Sequence, residues 1–221
     1  MMILTRFFCL YLLLIGCTNK SDVASGEREV FSVIAGAFKR DAAKGKFVDA
    51  RVLVTREKID AAGIPLLFIE LESGQNGTSI KYPGENTGDV WLGIDGGTIT
   101  LKSGMLLATR GMGDDLMASV GNLPNLSQIA GELTYDKKQI WLSEDNKISK
   151  LNFTCKINGA AKPTEIDVFD KKFNVRRVEE QCQANNVDLL NLYFIDDRGI
   201  VRRSKQYHSK TLGYILIERL D

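Results

Sequence analysis

Val90-Trp91-Leu92-Gly93-Ile94, Asp95-Gly96-Gly97, Thr98-Ile99-Thr100-Leu101-Lys102, Ser103-Gly104 and Met105-Leu106-Leu107-Ala108-Thr109-Arg110 follow one another without a break. Three runs rich in β-branched, aromatic and aliphatic residues are separated by short glycine-bearing pieces. The runs fit a pleated, half-buried surface, and the glycines supply the positive-φ positions that hairpins require. This stretch therefore predicts an antiparallel meander.

The same period-two pattern extends outward. Upstream, Val48 to Thr55, Leu66 to Leu71 and Thr78 to Tyr82 read as strands, with Ser73-Gly74-Gln75-Asn76-Gly77 as a turn. Downstream, Gly113 to Val120 reads as a short helical turn, with Asp114-Asp115 near its N-terminus where the helix dipole favours carboxylates. Strands then resume at Gly131 to Tyr135, Gln139 to Leu142, Lys150 to Ile157, Thr164 to Phe169, Asn174 to Gln181, Asp188 to Ile195, Ile200 to Tyr207 and Tyr214 to Leu220. Asp136-Lys137-Lys138 and Asp196-Asp197-Arg198-Gly199 are the expected turns. Near the start, Val30, Phe31, Ile34, Ala37 and Phe38 recur at helical spacing between Glu27 and Lys39 and predict one amphipathic helix, packed on the sheet or plugging its mouth. The expected fold class is all-β, mainly an antiparallel meander forming a barrel or a sandwich, with that N-terminal helix and the short helical turn. A long meander has to close or fold over to manage its edges. No linker or shift of composition divides residues 27–221, which read as a single domain.

Residues 1–17 follow a different logic. Arg6 supplies a positive start, Phe7 to Ile15 an apolar run, and small Gly16 precedes Cys17. That is the pattern of a bacterial lipoprotein signal. The run is too short to span a bilayer, which takes roughly 20 residues. Residues 1–16 are then the signal peptide and Cys17 the lipidated residue, with Thr18 to Gly26 forming, together with Cys17, a small, polar, flexible tether. Each buried methylene of the acyl chains, palmitate among them, contributes about 0.8 kcal/mol, so two or more chains anchor lastingly. Thr18 stands where an Asp would resemble an inner-membrane retention signal, which favours the outer membrane, facing the periplasm.

Residues 1–16 hold Arg6 and no acidic residue, so their removal leaves 205 of the 221 residues and 28 basic against 28 acidic side chains. A neutral chain lacks the basic surplus that a nucleic-acid binder uses to displace counterions. Cys9 leaves with the signal, and Cys155 and Cys182 remain as an expected disulfide in an oxidising compartment. Closing that loop contributes about 3 kcal/mol in the chain-entropy treatment.

Two ordered segments resemble the YjbF/GfcB lipoproteins encoded with exopolysaccharide and group 4 capsule genes. The first is Val90-Trp91-Leu92, Thr98-Ile99-Thr100, Gly104 and Thr109-Arg110-Gly111-Met112-Gly113-Asp114-Asp115-Leu116. The second is Tyr193-Phe194-Ile195-Asp196, Gly199-Ile200-Val201 and Arg203-Ser204-Lys205-Gln206. Phe194 stands where the family often has Trp, and Leu212-Gly213-Tyr214 lacks a Pro, departures that bear on the subfamily. The resemblance implies a periplasm-facing outer-membrane lipoprotein acting in secretion of a surface polysaccharide, with other secretion proteins as partners and no catalytic residue to carry over.

The chemical inventory points the same way. His208 is the only histidine, which rules out a multi-His metal site, and no Gly-x-Ser-x-Gly elbow accompanies it. It reads as a loop residue. Adjacent Asp114 and Asp115 cannot readily flank a sugar ring from opposite sides, and Gly93-x-x-Gly96-Gly97 lacks the Lys-Ser/Thr of a phosphate loop. No enzyme activity, metal or cofactor is expected. Trp91 and Trp141 are the candidates for stacking on sugar rings if exposed, although strand tryptophans are more often core. One arginine of each pair, Arg176-Arg177 and Arg202-Arg203, is expected to face solvent, where it could meet an acidic polymer. The expected function is assistance in exopolysaccharide or capsule export by docking on envelope proteins. The alternative is a carrier of the lipoprotein-localisation kind, binding an acyl chain or glycan in a barrel cavity, which needs a deep cavity.

Overall fold

The computed structural model describes residues 49–83, 88–159 and 162–221. The signal, Cys17, the tether and the helix expected between Glu27 and Lys39 lie outside the described residues. Among the described residues no helix is long and apolar enough to cross a membrane.

Among the described residues thirteen strands form one antiparallel sheet. They are β1 (Leu66–Leu71), β2 (Asn76–Lys81), β3 (Asp89–Gly93), β4 (Thr98–Lys102), β5 (Met105–Arg110), β6 (Asp115–Gly121), β7 (Glu132–Leu142), β8 (Ile148–Asn158), β9 (Pro163–Val168), β10 (Lys171–Ala184), β11 (Val187–Asp196), β12 (Val201–Ser209) and β13 (Gly213–Arg219). Their order is β5-β4-β3-β2-β1-β13-β12-β11-β10-β8-β7-β6, with β9 paired to β10. The two ends of this path, β5 and β6, are sequence neighbours that lie side by side. The sheet is thus a nearly closed barrel, and the choice between barrel and sandwich falls to the barrel. Within the path the first and last strands in sequence pair, β1 with β13, matching Leu67 with Arg219 and Leu71 with Ile215.

The inward positions fill the barrel. Leu67, Trp91, Ile99, Leu116, Trp141, Phe153, Ile157, Tyr193, Ile215 and Ile217 belong to one buried cluster. A second cluster lies on the outer face, where Leu66, Phe68, Phe173, Val175 and Leu220 are covered by Ala50, Val54 and Ile59. Strand β10 serves both clusters. Phe173 and Val175 are buried outside, whereas Val178, Cys182 and Ala184 are buried inside, with no break of register against β11.

Several expected elements differ. Of the strand expected from Val48 to Thr55, residues 49–55 hold instead the one-turn helix Ala50–Leu53, followed by the helix Arg56–Ala62. Asp49 and Thr55 cap the two starts, their side chains accepting from Arg51 N and Lys58 N. Arg56 then fastens the second helix to the barrel, donating to the carbonyls of Phe169 (2.9 Å), Val168 (2.8 Å) and Leu220 (2.8 Å). Gly113 to Val120 is not a helical turn. It runs into strand β6, because the Asp115 carboxylate accepts from Gly111 N (2.8 Å) and Met112 N (3.1 Å) and so closes a tight reversal. Gly111 and Gly113 supply its positive φ values, +78° and +96°. Asp136-Lys137-Lys138 is no turn either, since β7 is continuous from Glu132 to Leu142. There Asp136 accepts from Thr154 Oγ1 on β8 (2.8 Å), and Lys137 points inward.

Candidate functional site

The two segments that carry the family resemblance meet in space, at the seam between β5 and β6. Among the described residues these two strands share no backbone ladder. Side chains take its place. Gln206 of β12 reaches the β5 backbone, where its Oε1 accepts from Leu106 N (2.7 Å) and its Nε2 donates to Gly104 O (2.9 Å). Arg110 crosses the seam and donates to Leu116 O (3.2 Å) and Met117 O (3.1 Å) on β6. Gly104 allows β5 to approach β12 this closely, since a Cβ there would come within 2.3 Å of Val201 Cγ2.

Thr109 is the hub of the seam. Its Oγ1 accepts from Leu116 N (2.9 Å), lies 2.9 Å from His208 Nε2 and donates to Asp115 Oδ1 at 3.2 Å. One hydroxyl has one proton and two lone pairs, so with Asp115 taking the proton, His208 must donate from Nε2. That assignment leaves Nδ1 as an acceptor, and it meets no polar partner among the described residues. His208 is fully buried, and burial pushes its imidazole down to about 4, against the opposing pull of Asp115 and Asp114. The expectation of a loop histidine is therefore corrected. His208 lies in β12, its carbonyl accepting from Trp141 Nε1 (2.5 Å).

Deeper in the barrel a polar cluster surrounds Glu180. Its Oε1 accepts from Lys137 Nζ (2.5 Å) and from the Tyr135 hydroxyl, and its Oε2 from Asn191 Nδ2 (2.7 Å) and the Tyr193 hydroxyl (2.7 Å). Tyr193 also lies 3.2 Å from Gln206 Oε1, which joins this cluster to the seam. Burial alone would raise the Glu180 carboxyl. The Lys137 ammonium, with hydrogen bonds from Lys137, Tyr135 and Asn191, outweighs it and holds the group below the usual carboxylate range. Burial and the Glu180 charge push Tyr135 and Tyr193 well above an ordinary phenol. Cys155 and Cys182 pair directly across β8 and β10 beside Glu180 and form the expected disulfide. The bond occupies both sulfurs, so the Cys155, Glu180 and Cys182 atoms within 4.8 Å of one another do not make a metal site.

The other sequence candidates fall elsewhere. Trp91 and Trp141 are 1% and 6% exposed, so neither offers a stacking face for a sugar. Asp114 and Asp115 build the reversal before β6 rather than cap a helix, and Asp114 also accepts from Thr211 Oγ1. Arg176 is tied to the carbonyls of Leu126 (2.6 Å) and Ile129 (2.9 Å) beside the 3-10 helix Leu126–Gln128. Arg177 faces solvent as expected and pairs with Glu179 at 2.7 Å. Arg202 is buried against Asp196 (2.7 Å) and the Phe173 ring, and half-buried Arg203 pairs with Glu218 Oε1 at 2.5 Å. Neither Arg176 nor Arg202 is presented to an acidic polymer. The sequence did not single out Glu180, Lys137, Tyr135 or Asn191. The available signal was parity, since Glu180 shares the inward phase of Val178 and Cys182.

A family model described as group 4 capsule polysaccharide lipoprotein GfcB, YjbF, matches residues 29–220. No curated protein matches. Among solved structures, the crystal structure of the hypothetical lipoprotein YmcC from Escherichia coli (K12) superposes with a TM-score of 0.69 at 16% identity, covering 85% of this chain and 95% of that one. At that identity the likeness shows a shared fold. The family match spans nearly the whole chain and contains both the seam and the buried polar cluster, and the chain belongs to the YjbF family of group 4 capsule polysaccharide lipoproteins.

Proposed function

We propose that this chain is a non-enzymatic lipoprotein of the outer membrane, held by acyl chains on Cys17 and facing the periplasm, that assists assembly or export of an exopolysaccharide or capsule by docking on other envelope proteins of that pathway. The observation that carries the proposal is the family match over residues 29–220. The signal ending at Cys17 agrees with it. The non-enzymatic part rests on chemistry: the lone histidine is buried at a seam, where its Nε2 is engaged with Thr109. The carrier alternative needs a deep cavity, and the inward side chains of the described barrel form a buried cluster where that cavity would be.

Deleting the gene and quantifying surface polysaccharide under inducing conditions tests the pathway. Reduced polymer is expected, and unchanged polymer would overturn the assignment. Cys17→Ser separates anchoring from the rest, with release from the membrane fraction expected and polysaccharide output falling alongside it.

A further inference from the structure

We propose that the barrel is built to open at the β5–β6 seam, with the side chains of Thr109, Arg110, Gln206 and His208 acting as a latch. Every other pair of adjacent strands in the barrel path is joined by a backbone ladder, whose bonds must be broken in series by separating two chains. Across the seam the connections are Leu116 N and Asp115 Oδ1 to Thr109, and Leu116 O and Met117 O to Arg110, while Gln206 and His208 of β12 hold β5 through Leu106 N, Gly104 O and the Thr109 hydroxyl. Each is released by rotating one side chain, with the ladders β4–β5 and β6–β7 left whole.

The charges around the latch favour a closed state that remains releasable. From β5, Arg110 faces β6 and is exposed. From the reversal, Asp114 and Asp115 lie near His208, and Asp114 is held by Thr211 at the end of β12. From β7, Trp141 contacts the His208 carbonyl. His208 itself has a buried Nδ1 without a partner among the described residues, so the closed latch already contains one unsatisfied polar atom. Opening would hydrate it. A hydrogen bond contributes about 0.5 to 1.5 kcal/mol net and the latch is made of a handful of them, so releasing the latch bonds while Met105, Leu106 and Leu116 stay in the buried cluster costs less than global unfolding.

Amide hydrogen exchange of the full chain, followed by mass spectrometry under native conditions, tests this directly. The amides of Leu106 and Leu116, held only by the Gln206 and Thr109 side chains, are expected to exchange faster than the laddered amides of β10 and β11 in the unaltered protein. Thr109→Val combined with Gln206→Met, which removes hydrogen-bonding groups without removing bulk, is expected to accelerate the Leu106 and Leu116 amides by roughly tenfold. The β10 and β11 peptides should stay unchanged. Leu106 and Leu116 amides exchanging no faster than those of β10 and β11 in the unaltered protein would overturn the proposal. So would a variant that accelerates every peptide equally. The wild-type comparison decides the question even if the double variant fails to fold.

Discussion

At the scale of single residues, the strongest constraint falls on Glu180, whose buried carboxylate accepts from four donors. Removing one partner leaves an uncompensated charge in the core. Lys137→Met is therefore expected to lower the unfolding free energy by about 3 to 5 kcal/mol in urea titration, whereas Lys137→Met with Glu180→Gln, which removes the charge and keeps an acceptor for the tyrosine hydroxyls, should recover much of the loss. His208 supplies the pH dependence. Burial brings its folded value to about 4, against an ordinary 6.5, so the native state resists protonation while the unfolded chain accepts it. Stability is full above about pH 6.5 and falls as the pH drops toward 4, by about 3 kcal/mol at most. Chemical denaturation from pH 7 to 4.5 should show this slope, and His208→Gln should flatten it. A wild-type profile without slope there would contradict the buried neutral histidine. Thr109, Asp115 and Gln206 were legible as members of ordered segments, but their mutual bonds were not, because Thr109 and His208 are 99 residues apart in the chain.

At the scale of elements, the strands whose apolar alternation is bounded by turn residues were read nearly residue for residue, as with β4 and β5. Two of the misplaced elements share one cause: a side chain meets a non-local partner. Asp49 accepts from Asn76 as well as capping Arg51, so the chain after Asp49 turns helical beside β2 instead of extending. Lys137 looks like a turn residue by composition, yet Glu180 draws it into the interior and β7 runs straight through. Gly104 shows the same dependence in a turn that was read correctly. Its φ of +83° suits the β4–β5 hairpin, while its missing Cβ makes room for Val201. Gly104→Ala is expected to cost about 1 to 3 kcal/mol in thermal or urea unfolding. Adding Val201→Ala should return only the steric part, since the backbone conformation stays unfavourable.

At the scale of the whole molecule, the Cys155–Cys182 disulfide joins β8 to β10 inside the barrel, both sulfurs lying in the buried cluster. Its burial predicts that dithiothreitol leaves it intact in native buffer and reduces it in denaturant, which thiol counting by mass would show. Cys155→Ala with Cys182→Ala should lower stability by about 3 kcal/mol, the closure entropy of a loop with a separation of 27 residues. By itself the sequence determined the all-β class, the identity of the two paired cysteines and the family, because alternation, turn residues and short ordered segments are local signals written in consecutive residues. Only the tertiary structure decided that the sheet closes as a barrel, that its closing seam is sewn by Thr109, Arg110 and Gln206, and that Glu180 and Lys137 neutralise each other inside it. Those outcomes depend on which distant strand supplies the facing partner, and a hydrogen bond between residues a hundred positions apart leaves no periodicity in either neighbourhood.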